Sequence, residues 1–435
     1  MPFIRGRHTC EPGFRFLSNA FQSQPSVIDY VGASEESRVA NPLRDILELS
    51  QAERTERGLV HTPREIFQQP ETWIKTYRRC RAYLGEINEA LHRSGVRNGA
   101  SGLPMVYLVG AGTSDYTGRA LAPLLRRRWH SAADAIPSTT LLTDFDDYHR
   151  AGTEYLWISF SRSGDSPEGV ALLERALDRH RNIRHIVITC NPQGQMAQIC
   201  SRHPGQALAI ILDDAVNDRG LAMTSSFTNM LLAGQCVAHH DEFDLFGDAV
   251  AQMAETGAQF TPAASEVAAA VTTLGCTRAC FVGSGVLRAV ADESALKAVE
   301  LSAGHVTTLA ETPLGLRHGP MSSVDTNTVF VAFLSSEARR RGYELDLLRE
   351  IDRKRLARVR VAITVQGIDD VSPLTDYCLS LDCPASFPDH YRPVLDVIFG
   401  QLLGLFASMR SGLKPDQPSP NGAITRVVQP IKLYS

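Results

Sequence analysis

Three serines fall within six residues in Ser161-Arg-Ser-Gly-Asp-Ser166, between an apolar run and Pro167-Glu-Gly. Hydroxyls gathered where a strand turns into a helix can hold a phosphate. The first turn of the helix leaves N–H groups unpaired, and its dipole favours an anion. Taken alone, such a turn is as readily a serine-rich cap with no ligand. A second turn, Gly110-Ala-Gly-Thr-Ser-Asp115, opens like a dinucleotide fingerprint but has Asp115 where the third glycine would fall. Its Thr113 and Ser114 suit hydrogen bonds to a phosphorylated sugar at least as well. A tight turn explains the glycines but not the paired hydroxyls. Glu293, Lys297 and Glu300 then share a helix face at i, i+4 and i+7. That spacing usually means a solvated Glu–Lys pair. Here Leu296, Val299 and Leu301 make the surroundings apolar, and a carboxylate so placed has a raised pKa and can act as a base. His318, in Pro313-Leu-Gly-Leu-Arg-His-Gly-Pro320, sits in a rigid loop; a lone histidine is more often structural than catalytic.

The elements that must position these residues recur along the chain. Val106-Tyr-Leu-Val-Gly-Ala-Gly-Thr-Ser114 and Ala279-Cys-Phe-Val-Gly-Ser-Gly-Val-Leu287 both read as a buried strand entering a Gly/Ser turn, and Gly110 and Gly283 are 173 residues apart. Phe160 and Phe333, in a second pair of strands, are again 173 apart, and Ile186 and Val361, in a third, are 175 apart. Three units in one order at nearly one spacing mean a duplicated domain. Ser284 is thereby the second copy's counterpart of the first turn. Short apolar strands alternate with expected helices at 116–129, 167–180, 225–238, 263–274 and 391–409. This alternation predicts parallel sheets with helices on both faces. Ligands in such sheets bind beyond the carboxyl ends of the strands, where all the Gly/Ser turns lie. Helices are also expected at 42–55, from a Thr62 cap with Pro63 at N1, and over 73–92. Residues 424–428 read as a short closing strand.

Composition narrows the classes. The 435 residues have a formal net charge of −4, so no basic field points to nucleic acid. The nine cysteines show no CxxC and no metal-ligand spacing, as in reduced cytosolic proteins. No apolar run approaches the roughly 20 residues of a membrane span. GxxxxGK[ST], GxSxG, HExxH and DxDxDG are all absent, and nothing asks for a metal or another cofactor.

Taken together, these motifs resemble the sugar isomerase (SIS) domain family, and the isomerase half of glucosamine-6-phosphate synthase in particular. The chain is more specifically similar to the AgaS family of tagatose-6-phosphate ketose/aldose isomerases and galactosamine-6-phosphate deaminases. That closer match is carried by residues 57–66, 217–229, 314–320 and 421–428. The resemblance implies an α/β fold of tandem SIS domains, each a flavodoxin-like, doubly wound parallel sheet, with an N-terminal helical extension. The expected division is a loose tail at 1–42, a helical segment at 43–100, domains at 101–255 and 256–413, and a tail at 414–435 closing on the active site.

By the same resemblance, Ser161, Ser163 and Ser166 form the phosphate loop, with Arg162 where the synthase has glutamine. Thr113 and Ser114 contact the sugar, and Ser284 is placed with the substrate-binding residues. Glu300 is the base that moves a proton between C1 and C2, lined by Glu293 and Lys297. His318 opens the ring and comes from the partner subunit of a homodimer. Arg426 stands where the synthase has a lysine, and a guanidinium forms no Schiff base. Pro2 occupies the place of the glutaminase cysteine, so glutamine-dependent amine transfer is not expected. The implied reaction takes a phosphorylated amino sugar, in the cytoplasm, to a ketose 6-phosphate and ammonia. Plain aldose–ketose isomerisation and a non-catalytic phosphosugar-binding regulator are the alternatives.

Overall fold

A computed structural model describes residues 41–96, 102–368, 371–429 and 431–434. Residues 1–40, most of the tail expected at 1–42, lie outside the described residues. Two five-stranded parallel sheets form the body. The first contains β1 (Met105–Gly110), β2 (Ala133–Pro137), β3 (Tyr155–Ser161), β4 (Ile183–Thr189) and β5 (Ala207–Ile211) in the order β2-β1-β3-β4-β5. The second contains β6 (Arg278–Gly283), β7 (Thr307–Glu311), β8 (Thr328–Phe333), β9 (Val359–Val365) and β10 (Tyr377–Leu381) in the order β7-β6-β8-β9-β10. The two orders are the same once the second copy is renumbered, as expected of a duplication, and both are the flavodoxin-like order. All residues of β3 and β8 are buried. Their unbroken apolar runs follow from helices covering both faces of a parallel sheet.

The tight turns explain why glycine opens each copy. A Cβ on Gly110 would lie 2.4 Å from the Ser114 carbonyl carbon, and one on Gly283 would lie 2.4 Å from the Leu287 carbonyl oxygen. In each copy the first turn of the following helix closes directly over the strand end.

The helices 225–238 and 116–129 form as expected, at Ser225–Ala238 and Thr113–Trp129. The first is buried along its whole length. The stretch 73–92 forms two helices, Gln69–Ala82 and Leu84–Ser94, with Tyr83 between them. The first of these buries Trp73, whose indole N–H donates to Thr228 Oγ1 at 3.0 Å. Truncating such a buried aromatic to Ala costs about 3–5 kcal/mol. The helix expected to open the second copy after Pro262 is instead part of a 31-residue helix, Phe243–Thr273, which runs through Pro262 and past the expected domain boundary at 255/256. Residues 424–428 form no strand. The helix Pro393–Arg410 is long and apolar enough to cross a membrane, but 89% of it is buried inside the protein, where it packs against Phe243–Thr273 and Leu287–Leu301 as a core helix.

Candidate active site

The C-terminal ends of β1 and β3 open into a cavity of about 250 Å³. Ser114, Ser161, Arg162, Ser163, Ser166 and Arg426 all line it. The loop 161–166 is shaped from within. Ser161 Oγ accepts from Gly164 N at 3.1 Å, and Ser163 Oγ accepts from Asp165 N at 3.2 Å. Gly164 takes φ +68°, where side chains are rarely tolerated, and a Cβ there would press within 3.1 Å of Gly194. Wider clefts of about 490 and 680 Å³ lie beside β5 and among the N-terminal helices, away from these serines.

Two guanidiniums face this cavity. Arg162 is 6% exposed and donates to the carbonyls of Gly220 (3.4 Å), Leu221 (3.2 Å) and Arg426. Its Nε is buried without a partner. Burial, then the charge of Arg426, lowers its pKa. Arg426 donates Nε to Asp218 O at 2.7 Å and a terminal nitrogen to Asn217 Oδ1 at 2.8 Å. Among the described residues, neither makes an ion pair with a carboxylate.

Beside the cavity, across the contact between the two domains, lies the charged face of the helix Leu287–Leu301. Lys297 is fully buried. Its ammonium donates to Glu300 Oε2 at 2.5 Å and to Thr113 Oγ1 at 3.0 Å, and lies 3.5 Å from Glu293 Oε1. Thr113 donates to Glu293 Oε1 at 3.3 Å. Burial pushes Glu293 up to about 8, a rise that Lys297 only partly opposes, and its Oε2 has no partner. Burial works against the Lys297 ammonium, but the two carboxylates outweigh it and leave its pKa above the ordinary lysine value. Glu300 keeps a quarter of its side chain exposed. Thr113 and Ser114 thus join two sets: Thr113 touches the buried Glu–Lys–Glu face, and its neighbour Ser114 lines the cavity.

Two expected residues lie elsewhere. His318 is exposed after the short helix Pro313–Leu316, on the rim of the second sheet, with no described contact to Glu300. Ser284 is at the end of β6 and bonds to Glu344, away from the cavity. The rim there is occupied by the protein's own carboxylates. Asp389 Oδ1 accepts from Ser336 N (2.9 Å) and Ser336 Oγ (2.7 Å), its Oδ2 accepts from Ser335 Oγ, and Glu344 accepts from Ser335 N at 2.7 Å. Fully buried Arg392 holds Asp389 (3.3 Å) and Asp396 (2.7 Å).

Three carboxylates near the cavity were not singled out by the sequence: Glu65, Asp218 and Asp416. Asp218 carried a usable signal, since it stands shortly before Thr224-Ser-Ser226 at the start of a helix, where a carboxylate can cap free N–H groups. Glu65 lies near a helix start and, like Asp218, within a segment that carries the family resemblance, though neither was given a site role; Asp416 carried no signal.

No protein-family model matches the chain. The D-galactosamine-6-phosphate deaminase AgaS of Escherichia coli is 34% identical over 390 residues, covering 86% of this chain and 95% of that one. The crystal structure of the tagatose-6-phosphate ketose/aldose isomerase of Escherichia coli superposes with a TM-score of 0.73 at 32% identity, covering 84% of this chain and 95% of that one. A Clostridium novyi structure, provisionally described as the same kind of isomerase, superposes with a TM-score of 0.83 at 28% identity, covering 89% and 98%.

Proposed function

We infer the activity from membership: this chain belongs to the AgaS family of tandem SIS-domain proteins. It deaminates and isomerises a hexosamine 6-phosphate, galactosamine 6-phosphate first, to a ketose 6-phosphate, tagatose 6-phosphate, with release of ammonia. The observation that carries this is the junction at Thr113 and Ser114, where a cavity of serines and unpaired guanidiniums meets a buried acid–base set.

In this reading the phosphate sits in the loop 161–166, between Arg162 and Arg426. His318, supplied by the other subunit of a homodimer, moves the proton that opens the ring. Glu300 then takes the C2 proton, giving an enolamine, and returns a proton to C1. The product is a ketimine at C2. Water adds to it and ammonia leaves, so one water is consumed for each amine released. Lys297 holds Glu300 in place, and Thr113 and Ser114 contact the sugar. The buried position of Glu293 suits it to hold a proton beside them. Phosphorylated sugars do not cross membranes unaided, so we place the reaction in the cytoplasm.

The second reading is plain aldose–ketose isomerisation, favoured by the described activity of the superposed Escherichia coli structure. One assay separates the two. Ammonia and ketose are measured from galactosamine, glucosamine and N-acetylated 6-phosphates, beside galactose and tagatose 6-phosphates. Equal ammonia and tagatose 6-phosphate from galactosamine 6-phosphate is the expected result. Interconversion of the hexose phosphates without ammonia from any amino sugar would leave the isomerase reading.

A further inference from the structure

Three segments meet behind the cavity: the turn and helix around 58–66, the loop 217–229, and the tail from 414 onward, of which the activity above uses only Arg426. Each is fastened by one buried carboxylate. Asp416 accepts from the backbone N–H groups of Val60 (2.7 Å), His61 (3.1 Å) and Thr62 (2.8 Å). Its own carbonyl accepts from Leu221 N at 3.0 Å. Glu65 accepts from Arg219 N (2.5 Å) and Gly220 N (3.2 Å). Asp218 accepts from Thr224 N (2.7 Å), Ser225 N (3.1 Å) and Ser226 N (2.8 Å). A Cβ at Gly220 would meet Thr62 Oγ1 at 2.7 Å and Glu65 Oε2 at 2.9 Å, so any larger residue there would have to displace these two side chains.

The carbonyls of these same segments hold both guanidiniums. Gly220 and Leu221 accept from Arg162, and Asp218 accepts from Arg426. The division has an electrostatic consequence. A carboxylate in direct contact would neutralise either arginine. Here the carboxylates bind backbone amides, and only neutral carbonyls and one amide side chain touch the guanidiniums. Asp218 and Glu65 act on Arg162 only through space, so the guanidiniums keep donors and charge for an anion in the cavity, and the Nε of Arg162, unpartnered among the described residues, supplies a further donor.

We propose that Glu65, Asp218 and Asp416 are positioning residues for phosphate: through three backbone segments they aim the Arg162 and Arg426 guanidiniums, with no carboxylate bonded directly to either among the described residues, at the loop 161–166. This deepens the phosphosugar reading and rests on it for the identity of the organic part of the substrate.

The test uses the full chain with Asp416→Ala and Glu65→Ala, and with Asp416→Asn and Glu65→Gln as the conservative replacements. Two quantities are read: KM and kcat for galactosamine 6-phosphate, and the dissociation constant of inorganic phosphate by equilibrium dialysis. In the alanine variants KM and the phosphate constant rise together by roughly tenfold or more, the scale of one lost hydrogen bond to a charged group. The kcat stays within about twofold, because phosphate contacts are made equally in ground and transition states. Asn and Gln keep an acceptor for the amides and recover most of the loss. If an alanine variant does not fold, the Asn or Gln variant at that position carries the test, with a smaller rise in both constants. Wild-type phosphate binding in folded variants, or a fall in kcat alone, overturns the proposal. The proposed activity fails separately. A wild type that releases no ammonia yet binds phosphate, and loses that binding in the variants, keeps the positioning role and removes the substrate.

Discussion

One lysine stands between two carboxylates on the Leu287–Leu301 helix, and it can balance only one of them. The other is fully buried Glu293, which the apolar surroundings drive to about 8. An ordinary glutamic acid titrates near 4.3 in an unfolded chain. The folded protein therefore binds this proton more tightly than the unfolded one. The resulting stabilisation is complete below about pH 4.3 and is lost as pH rises towards 8, with a slope of up to about 1.4 kcal/mol per pH unit. Glu293→Gln removes that share, so its urea midpoint should fall less than that of the wild type between pH 5 and 8. Parallel midpoints would mean that Glu293 is charged in the folded state. The sequence placed Glu293, Lys297 and Glu300 on one face from spacing alone. It did not reveal which carboxylate would be sealed and which left a quarter exposed, because that depends on Thr113, 180 residues earlier, packing against the same face. Periodicity gives the direction of a side chain and says nothing of its neighbour.

The strand-to-helix turn is the element that the sequence announced most clearly. Apolar runs ending in Gly and Ser located the rims of both sheets, and the structure forms a cavity at the first. On the proposed reading the loop 161–166 holds the phosphate end of the substrate, so Ser161→Ala with Ser163→Ala should raise KM by about tenfold or more and leave kcat within a few-fold. An unchanged KM for the phosphorylated sugar would remove the loop from the site. Elements governed by long-range partners were harder to read. The helix Phe243–Thr273 runs through Pro262 where the sequence suggested a start. The expected strand at 424–428 does not form. Arg426 and its carbonyl bond instead to Asn217, Asp218 and Arg162, partners more than 200 residues away that no local pattern encodes.

At the scale of the whole molecule, His318 is exposed and, among the described residues, makes no recorded contact with Glu300, whose side chain is a quarter exposed beside Lys297. In the homodimer with shared sites proposed above, the two would meet across the subunit contact, and complementation tests it. Homodimers of Glu300→Gln and of His318→Ala should each lose about 10²–10⁴-fold in turnover, the usual contribution of a general acid or base. Mixed dimers should regain activity at one of their two sites, since one site then carries both defects and the other neither. Mixed dimers that form yet stay as inactive as their parents would place His318 outside a shared site. The identical strand order of the two sheets was legible as a repeat of 173 residues, whereas the homodimer was expected from the family resemblance alone, since subunit pairing leaves no periodicity in one chain.

The carboxylates that fill the second rim bear on how the two copies depend on each other. A duplication begins with two equal receptacles. Here Asp389 and Glu344 hold the backbone amides and hydroxyls of the second copy permanently. On the proposed reading, that leaves the phosphate to the first copy. The second copy was thereby free to turn its first helix into the acid–base face that the other half lacks. On the reading proposed above, one copy recognises and the other transforms. Neither gene half could be lost or separated without ending the chemistry, and the repeat survives as an architecture after its symmetry of function has gone.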